Sequence, residues 1–419
     1  MNRRDLLASL GGVAAARAFG VHVDLPVLRS GAGVPGFPRK ADFSIEDGYT
    51  YLNAAYTHPI PNVSVLAAQR AAERRGTLRA PDPAAPPLAA PRDLFAQLIN
   101  AKPSEIAYVS STSAGENLVV RALGLDHRFD GNVVTDGLHF EGAIMHLREL
   151  QLKGLDVRVV PPTPDARIDM RDLERVVDNR TRLVEVSAAA MYNGFQHDLK
   201  AVADLAHAHG ALVYVDMVHA AGAEPFDVKA SGIDFASCSS FKWLMGDFGL
   251  GFLYAREETF DRIERPVIGY YQAADIDANY PPTMAAGPYE PVSYRFNRSA
   301  AGFFEMGALV GQVEVSIALL RASLGYVQAL GPANIQQHRI PMIRKLQAEM
   351  PRLRFVSVTP ADSTAGNVTF ARRNVADSDV PKRLLAAKVN VRVAQNWLRV
   401  SPSVYNDMSD IDRLLSALS

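Results

Sequence analysis

Between about residue 94 and residue 260, short apolar runs of strand length alternate with segments of helical spacing. Nothing else in the chain restricts its fold as strongly, because a β–α alternation at this spacing builds a mainly parallel sheet with helices on both faces. The strand candidates are 106–110, 132–135, 157–160, 183–187, 212–216, 235–239 and 251–254. Between them, Leu199, Val202, Leu205 and Ala206 share one helical face, with Asp198 as N-cap and Gly210 as stop. From about residue 303 the pattern changes to long amphipathic helices, read over 306–324 and 334–350. Short strands follow at 354–358, 367–370, 391–393 and 398–401, then a last helix over 409–418. The expected architecture is a large α/β domain (65–300) with a seven-stranded sheet, and a smaller α+β C-terminal domain (301–419).

Before the large domain, residues 21–48 are rich in Pro and Gly and lack periodicity. They read as an extended arm, which as a whole (21–64) joins the small domain. The stretch 79–91, with its five prolines in APDPAAPPLAAP, reads as a loop. The first twenty residues pair Arg3 with Arg4, then run through Leu, Ala and Gly to Ala16-Arg17-Ala18. That order matches a twin-arginine export signal with cleavage after Ala18, and implies a periplasmic or exported protein. An amphipathic helix retained on a cytoplasmic protein is the alternative. The segment is too short to span a membrane. Forty-four basic residues against 45 acidic ones give a net charge of -1, with no basic excess for nucleic acid. One cysteine, Cys238, excludes an intramolecular disulfide framework and a multi-cysteine metal site.

Three features of the large domain carry chemistry when taken together. Tyr108 to Asn117 joins a strand to a helix start through Ser110, Ser111, Thr112 and Ser113, and free amides beside hydroxyls form an anion cradle. The apolar run 211–215 ends in Asp216, which puts a carboxylate at the C-terminal end of a parallel strand, where such sheets bind ligands. Lys242 follows the strand 235–239 and precedes a turn with Gly246, Gly249 and Gly251, a costly place for an unpaired charge. A phosphate cradle, a carboxylate and a lysine in one sheet are what pyridoxal 5'-phosphate (PLP) requires. The lysine forms the imine and the ionised carboxylate keeps the pyridine nitrogen protonated.

The block from His207 to Gly251 is similar, at nearly every defining position, to the class V aminotransferase family of fold type I PLP enzymes. That family includes cysteine desulfurases, isopenicillin N epimerase, kynureninase and related C–S lyases. The resemblance covers nearly the whole chain after Asp47 and implies the PLP-transferase fold. It also implies Lys242 as the Schiff-base lysine and Asp216 as the partner of the ring nitrogen. By the same resemblance Thr112, Ser113 and Ser239 bind phosphate, and Phe140, or His139 one position earlier, stacks on the ring. His219 lies near the phenolic oxygen or phosphate. Tyr51-Leu52-Asn53-Ala54-Ala55 resembles the family's segment lining the substrate pocket, so Asn53 and Ala54 are substrate-binding candidates. Trp397 to Pro402, with Tyr405 and Asn406, matches the block whose arginine, here Arg399, grips the substrate α-carboxylate. A homodimer with active sites at its interface is also implied, with Ser299 the candidate that reaches the partner's phosphate.

The chain departs from the family at several points. Phe241 stands where His or Tyr often precedes the lysine, which removes one phosphate contact. Gln196 stands where relatives often carry arginine, against a second-carboxylate specificity. No cysteine lies in 380–397, where cysteine desulfurases form their persulfide. The implied activity is PLP chemistry at the α-carbon of an amino acid, of epimerase or C–S lyase type, with aminotransferase as the alternative. The non-enzymatic rival is a PLP-binding protein without turnover, against which Lys242, Asp216 and Arg399 all stand. A nucleotide-dependent oxidoreductase would need a Gly-x-Gly-x-x-Gly turn that 110–117 lacks.

Overall fold

The computed structural model describes residues 36–77, 90–278, 292–306, 314–372 and 379–419. The segment read as an export signal, and the arm up to residue 35, lie outside these. All seven strands expected in the large domain form one sheet: β1 (Ile106–Val109), β2 (Asn132–Asp136), β3 (Asp156–Val160), β4 (Thr181–Ser187), β5 (Leu212–Asp216), β6 (Phe235–Ser239) and β7 (Gly251–Ala255). Their order is β1-β7-β6-β5-β4-β2-β3, and only β7 runs antiparallel to its neighbours.

Parallel strands need cover on both faces. On one face Val134, Val184, Val186, Val213, Val215 and Ala236 build a core. It is closed by helix α3 (Leu199–Ala208) through Val202, Ala203 and Ala206. Asp198 caps α3 by accepting from the Ala201 amide, and Gly210 follows it at φ +77°, as its sequence signals imply. On the other face Val133, Leu183, Leu212 and Leu253 pack under helices α1 (Thr112–Ala122) and α2 (Glu141–Leu152). Towards the C-terminal strand ends this second face turns polar. Thr135, Glu185, Ser187, Asp216, Ser237 and Ser239 are all buried there, at alternate positions that point the same way. Helix α1 presses close enough that a Cβ on Gly115 would stand 2.0 Å from Ser237 Oγ, so only glycine fits at that crossing.

The C-terminal region forms a second, antiparallel sheet of β8 (Phe355–Ser357), β9 (Val368–Arg372), β10 (Arg392–Val393) and β11 (Trp397–Val400), in the order β8-β9-β11-β10. Of the long helix read over 306–324, residues 307–313 lie outside the described residues, and its end falls later than read. As α4 it spans Glu314–Leu330, while Glu305 is extended because its buried carboxylate accepts from Arg92 (2.6 Å) and the Tyr108 amide (2.8 Å). Helix α4 runs on to Leu330 because Tyr326, Val327 and Leu330 are buried against Phe43 and Met245, and it stops at Gly331 (φ +79°). Its residues Ile317, Leu320 and Leu324 enter the core of the large sheet. Helices α5 (Pro332–Glu349) and α6 (Met408–Leu418) cover the small sheet through Met342, Leu346, Ile411 and Leu414. Pro91 is not loop but belongs to the first turn of the helix Ala90–Leu98, where its missing N–H costs nothing. From the arm, Thr50–Tyr51 pairs in parallel with Val389–Asn390, and the Arg39 amide donates to the Val404 carbonyl.

Candidate active site

Asp216 ends β5 and is buried, with one oxygen accepting from the Val218 amide at 2.9 Å. Burial pushes its pKa up to about 6, against the pull of the nearby Lys242 charge. Lys242 leaves the end of β6 between Phe241 and the fully buried Trp243, which anchors the turn. Lys242 keeps some exposure as a residue, yet its amine is shielded enough that burial lowers its pKa to about 8. Its hydrogen-bond partner is His219 Nε2, at 3.0 Å. Burial, then the charges of Lys242 and Arg399, hold His219 well below the usual imidazole range, so its Nε2 accepts from the amine. His219 was expected near a phenolic oxygen or phosphate; the structure sets it directly on the lysine.

The phosphate candidates separate into a tight pair and a rim. Thr112, the first residue of α1, donates its amide to Ser239 Oγ (2.8 Å), and the Ser239 amide donates to Thr112 Oγ1 (2.9 Å). Ser111 caps α1 by accepting from Ala114, and Ser113 stands exposed one residue into the helix. Ser299 accepts from the Gly302 amide at the start of its own helix, Ala300–Phe304.

Of the two stacking candidates, His139 is the one tied to the site. Its Nδ1 lies 2.8 Å from Ser187 Oγ, and Ser187 is the register partner of Asp216. Burial lowers the His139 pKa to about 4. Phe140 is half-buried and turns back onto Gly142, where an added Cβ would lie 2.5 Å from its ring. Arg399 on β11 is buried and donates to the Met191 carbonyl at 2.9 Å, while its Nε has no partner among the described residues. Asn53 donates to Asn390 Oδ1, its own Oδ1 is unpartnered, and the buried Ala54 donates its amide to the Ser401 carbonyl. Gln196 faces away from this chemistry. It donates to both oxygens of the buried Glu224 (2.8 and 2.9 Å) and accepts from the Thr364 amide.

These groups suit PLP on structural grounds. A shielded amine without a carboxylate in hydrogen-bond contact and a buried carboxylate with one oxygen unused are left open in the way a bound pyridine ring would answer, and a hydroxyl pair at a helix start suits a phosphate. The sequence model of the aminotransferase class-V family matches residues 65–414. The chain belongs to this family. Its class V relatives include the probable cysteine desulfurase of Methanothermobacter thermautotrophicus, 28% identical over 82% of this chain and 83% of the relative. The cysteine desulfurase of Shigella sonnei is 26% identical over 76% of this chain and 79% of its own length. The solved cysteine desulfurase CsdA from Escherichia coli superposes with a TM-score of 0.78 at 21% identity, over 90% of this chain and 96% of that one. A C-DES variant with glycine covalently linked to its PLP cofactor gives 0.75 at 18% identity, over 91% and 99%. The chain is a PLP-dependent class V enzyme acting on an amino acid.

Residue-by-residue reading missed two buried carboxylates near the polar face, Glu116 and Glu185, and the half-buried His146 that bonds to Glu116. Glu185 did leave a signal, since it interrupts the apolar run of a strand covered on both faces.

Proposed function

We propose that this enzyme is a β-eliminating C–S lyase, which releases sulfur from a sulfur-bearing α-amino acid without passing it to an enzyme cysteine. The observation that carries this reading is the position of the chain's one thiol. Cys238 lies on β6 between Ser237 and Ser239, so its side chain points to the apolar face opposite Asp216. It is fully buried, and burial pushes its thiol far above the usual range, so it is no nucleophile. Cysteine desulfurase relatives therefore support C–S chemistry, while this chain's own residues favour direct release. PLP, when bound, supplies the electron sink for the α-carbon. Arg399 holds the α-carboxylate through the guanidinium edge that has no protein partner. Lys242, with a pKa near neutrality, takes the α-proton on Nζ and returns it to the departing sulfur. His219 Nε2 orients that amine. Homodimerisation, with Ser299 offered to the partner's site, belongs to the same proposal.

The test is to supply purified protein and PLP with cysteine, cystine and S-substituted cysteines, and to measure keto acid and released thiol. Cys238→Ala turns over like wild type, and Lys242→Ala loses both turnover and the visible band of the lysine-bound cofactor. Enantiomer interconversion without keto acid, or amino transfer to an added keto acid, overturns the lyase reading.

A further inference from the structure

Lys242 and His219 come from two separate turns, 217–224 after β5 and 240–246 after β6. The 3.0 Å contact between them depends on how these turns seat against each other. They meet at Gly222 and Trp243. Gly222 sits at φ +85°, and a Cβ there would stand 2.6 Å from the Trp243 carbonyl oxygen, so this approach requires glycine.

The seam between the turns is spanned from a third element. Arg339, on α5, is fully buried and donates from Nη2 to the Ala223 carbonyl at 2.6 Å. Its guanidinium lies over the Trp243 ring, 4.7 Å from the centroid. Trp243 is itself fully buried and packs with Ala223, Ala54 and Ala55, so the same ring underlies the candidate substrate-lining segment. Gly366 closes the edge of the stack. A Cβ there would lie 2.3 Å from Trp243 Cζ2 and 2.4 Å from Arg339 Nη1.

A guanidinium is costly to bury, and the Nε and Nη1 of Arg339 have no hydrogen-bond partner among the described residues. The face of Trp243 answers part of that cost, because an aromatic ring attracts a desolvated cation. Glu224, whose oxygens accept from Gln196 and Gln336, supplies the opposing charge. Burial lowers the Arg339 pKa only to about 10, so the group stays charged at neutral pH. The guanidinium is planar and rigid. One short hydrogen bond and one ring face therefore fix its plane, and with it the spacing of the two turns.

We propose that Arg339 is a positioning residue which, by clamping the Trp243 ring to the Ala223 carbonyl, seats the Lys242 amine against His219 and shields it from water. The titratable and charged groups around that amine are Asp216 from β5, His219 from the turn after it, Cys238 from β6, Arg399 from β11 and Glu141 at the start of α2. This inference rests on Lys242 as the cofactor-binding lysine, but not on which reaction follows.

The test follows uptake of PLP by cofactor-free protein, read as growth of the visible band of the lysine-bound cofactor across pH. In wild type the midpoint falls near pH 8, where burial places the Lys242 amine. Without the clamp the amine gains water and its pKa moves back towards that of an ordinary lysine. In Arg339→Met the midpoint rises by about one pH unit, so uptake at pH 7 slows about tenfold. Gly366→Ala drives a methyl group into both ring and guanidinium while keeping the charge, and it shifts the midpoint in the same direction. Leu346→Ala, in the core under the same helix, lowers the unfolding temperature but keeps the wild-type profile. A wild-type midpoint in Arg339→Met, or an equal shift in Leu346→Ala, overturns the proposal. A shift in Arg339→Met that Gly366→Ala fails to reproduce also overturns it, since lost charge then suffices. Should Arg339→Met not fold, Gly366→Ala against Leu346→Ala decides alone. Uptake is read without turnover, so failure of the lyase reading leaves this result standing.

Discussion

Replacing Asp216 by asparagine should stabilise the cofactor-free protein while crippling the enzyme. Asp216 is buried, and its pKa rises from an ordinary 3.8 to about 6 in the folded chain. The folded state therefore binds this proton more tightly than the unfolded state. Stability is lost as the pH climbs through that interval and stays lost above it. At about 1.4 kcal/mol per pH unit, the ionised group costs the apo fold about 3 kcal/mol near neutral pH. Asparagine removes that cost and still accepts from the Val218 amide, though a neutral acceptor concedes about 1 kcal/mol relative to a charged one. The charge that favours protonated Lys242 also disappears, and the amine responds by losing its proton more readily. The net expectation is a gain of about 2 kcal/mol for apo Asp216→Asn near neutral pH, shrinking to nothing or reversing in acid, where wild-type Asp216 is protonated. Urea unfolding of both apo proteins across this pH range measures it. A variant less stable than wild type near neutrality, or a difference independent of pH, would refute the assignment of Asp216 as an unsatisfied buried charge. With PLP bound the order reverses, because only the aspartate meets a protonated ring nitrogen.

Other residues give sharper single outcomes. Arg399→Ala removes a charge-assisted clamp worth about 2–3 kcal/mol, so kcat/KM for an α-amino acid falls about 30- to 150-fold, while PLP still binds. Cys238→Ala leaves sulfur release intact and lowers stability by about 1 kcal/mol through the small void it opens, read by thermal unfolding. Gly115→Ala drives a methyl group into Ser237 and costs about 1–3 kcal/mol. Adding Ser237→Gly recovers most of that loss, which a double-mutant cycle in urea detects.

Much of this enzyme is legible in its residue order. Alternating apolar runs and helical spacings mark all seven strands of the large sheet, because period and length are local properties of the chain. Asp216, Lys242, Thr112 and Ser239 are legible for a related reason. A parallel sheet delivers the C-terminal ends of its strands to one edge, so residues placed just there must meet. What sequence left open depends on packing between distant segments. Helix α4 is amphipathic wherever its end is drawn, and only burial of Tyr326 and Leu330 against Phe43 and Met245 sets where it stops. His139 and Phe140 are adjacent and both aromatic, and only the fold shows that Ser187, across the sheet, takes the His139 ring while Phe140 turns back onto Gly142. Glu185 shows the division most clearly. The sequence contains its charge in an apolar strand, but only the completed sheet and the helix laid over it bury that carboxyl fully, and burial raises its pKa above the usual carboxylate range. Local pattern determines which elements form, whereas the charge state of a buried group depends on what the completed fold brings beside it.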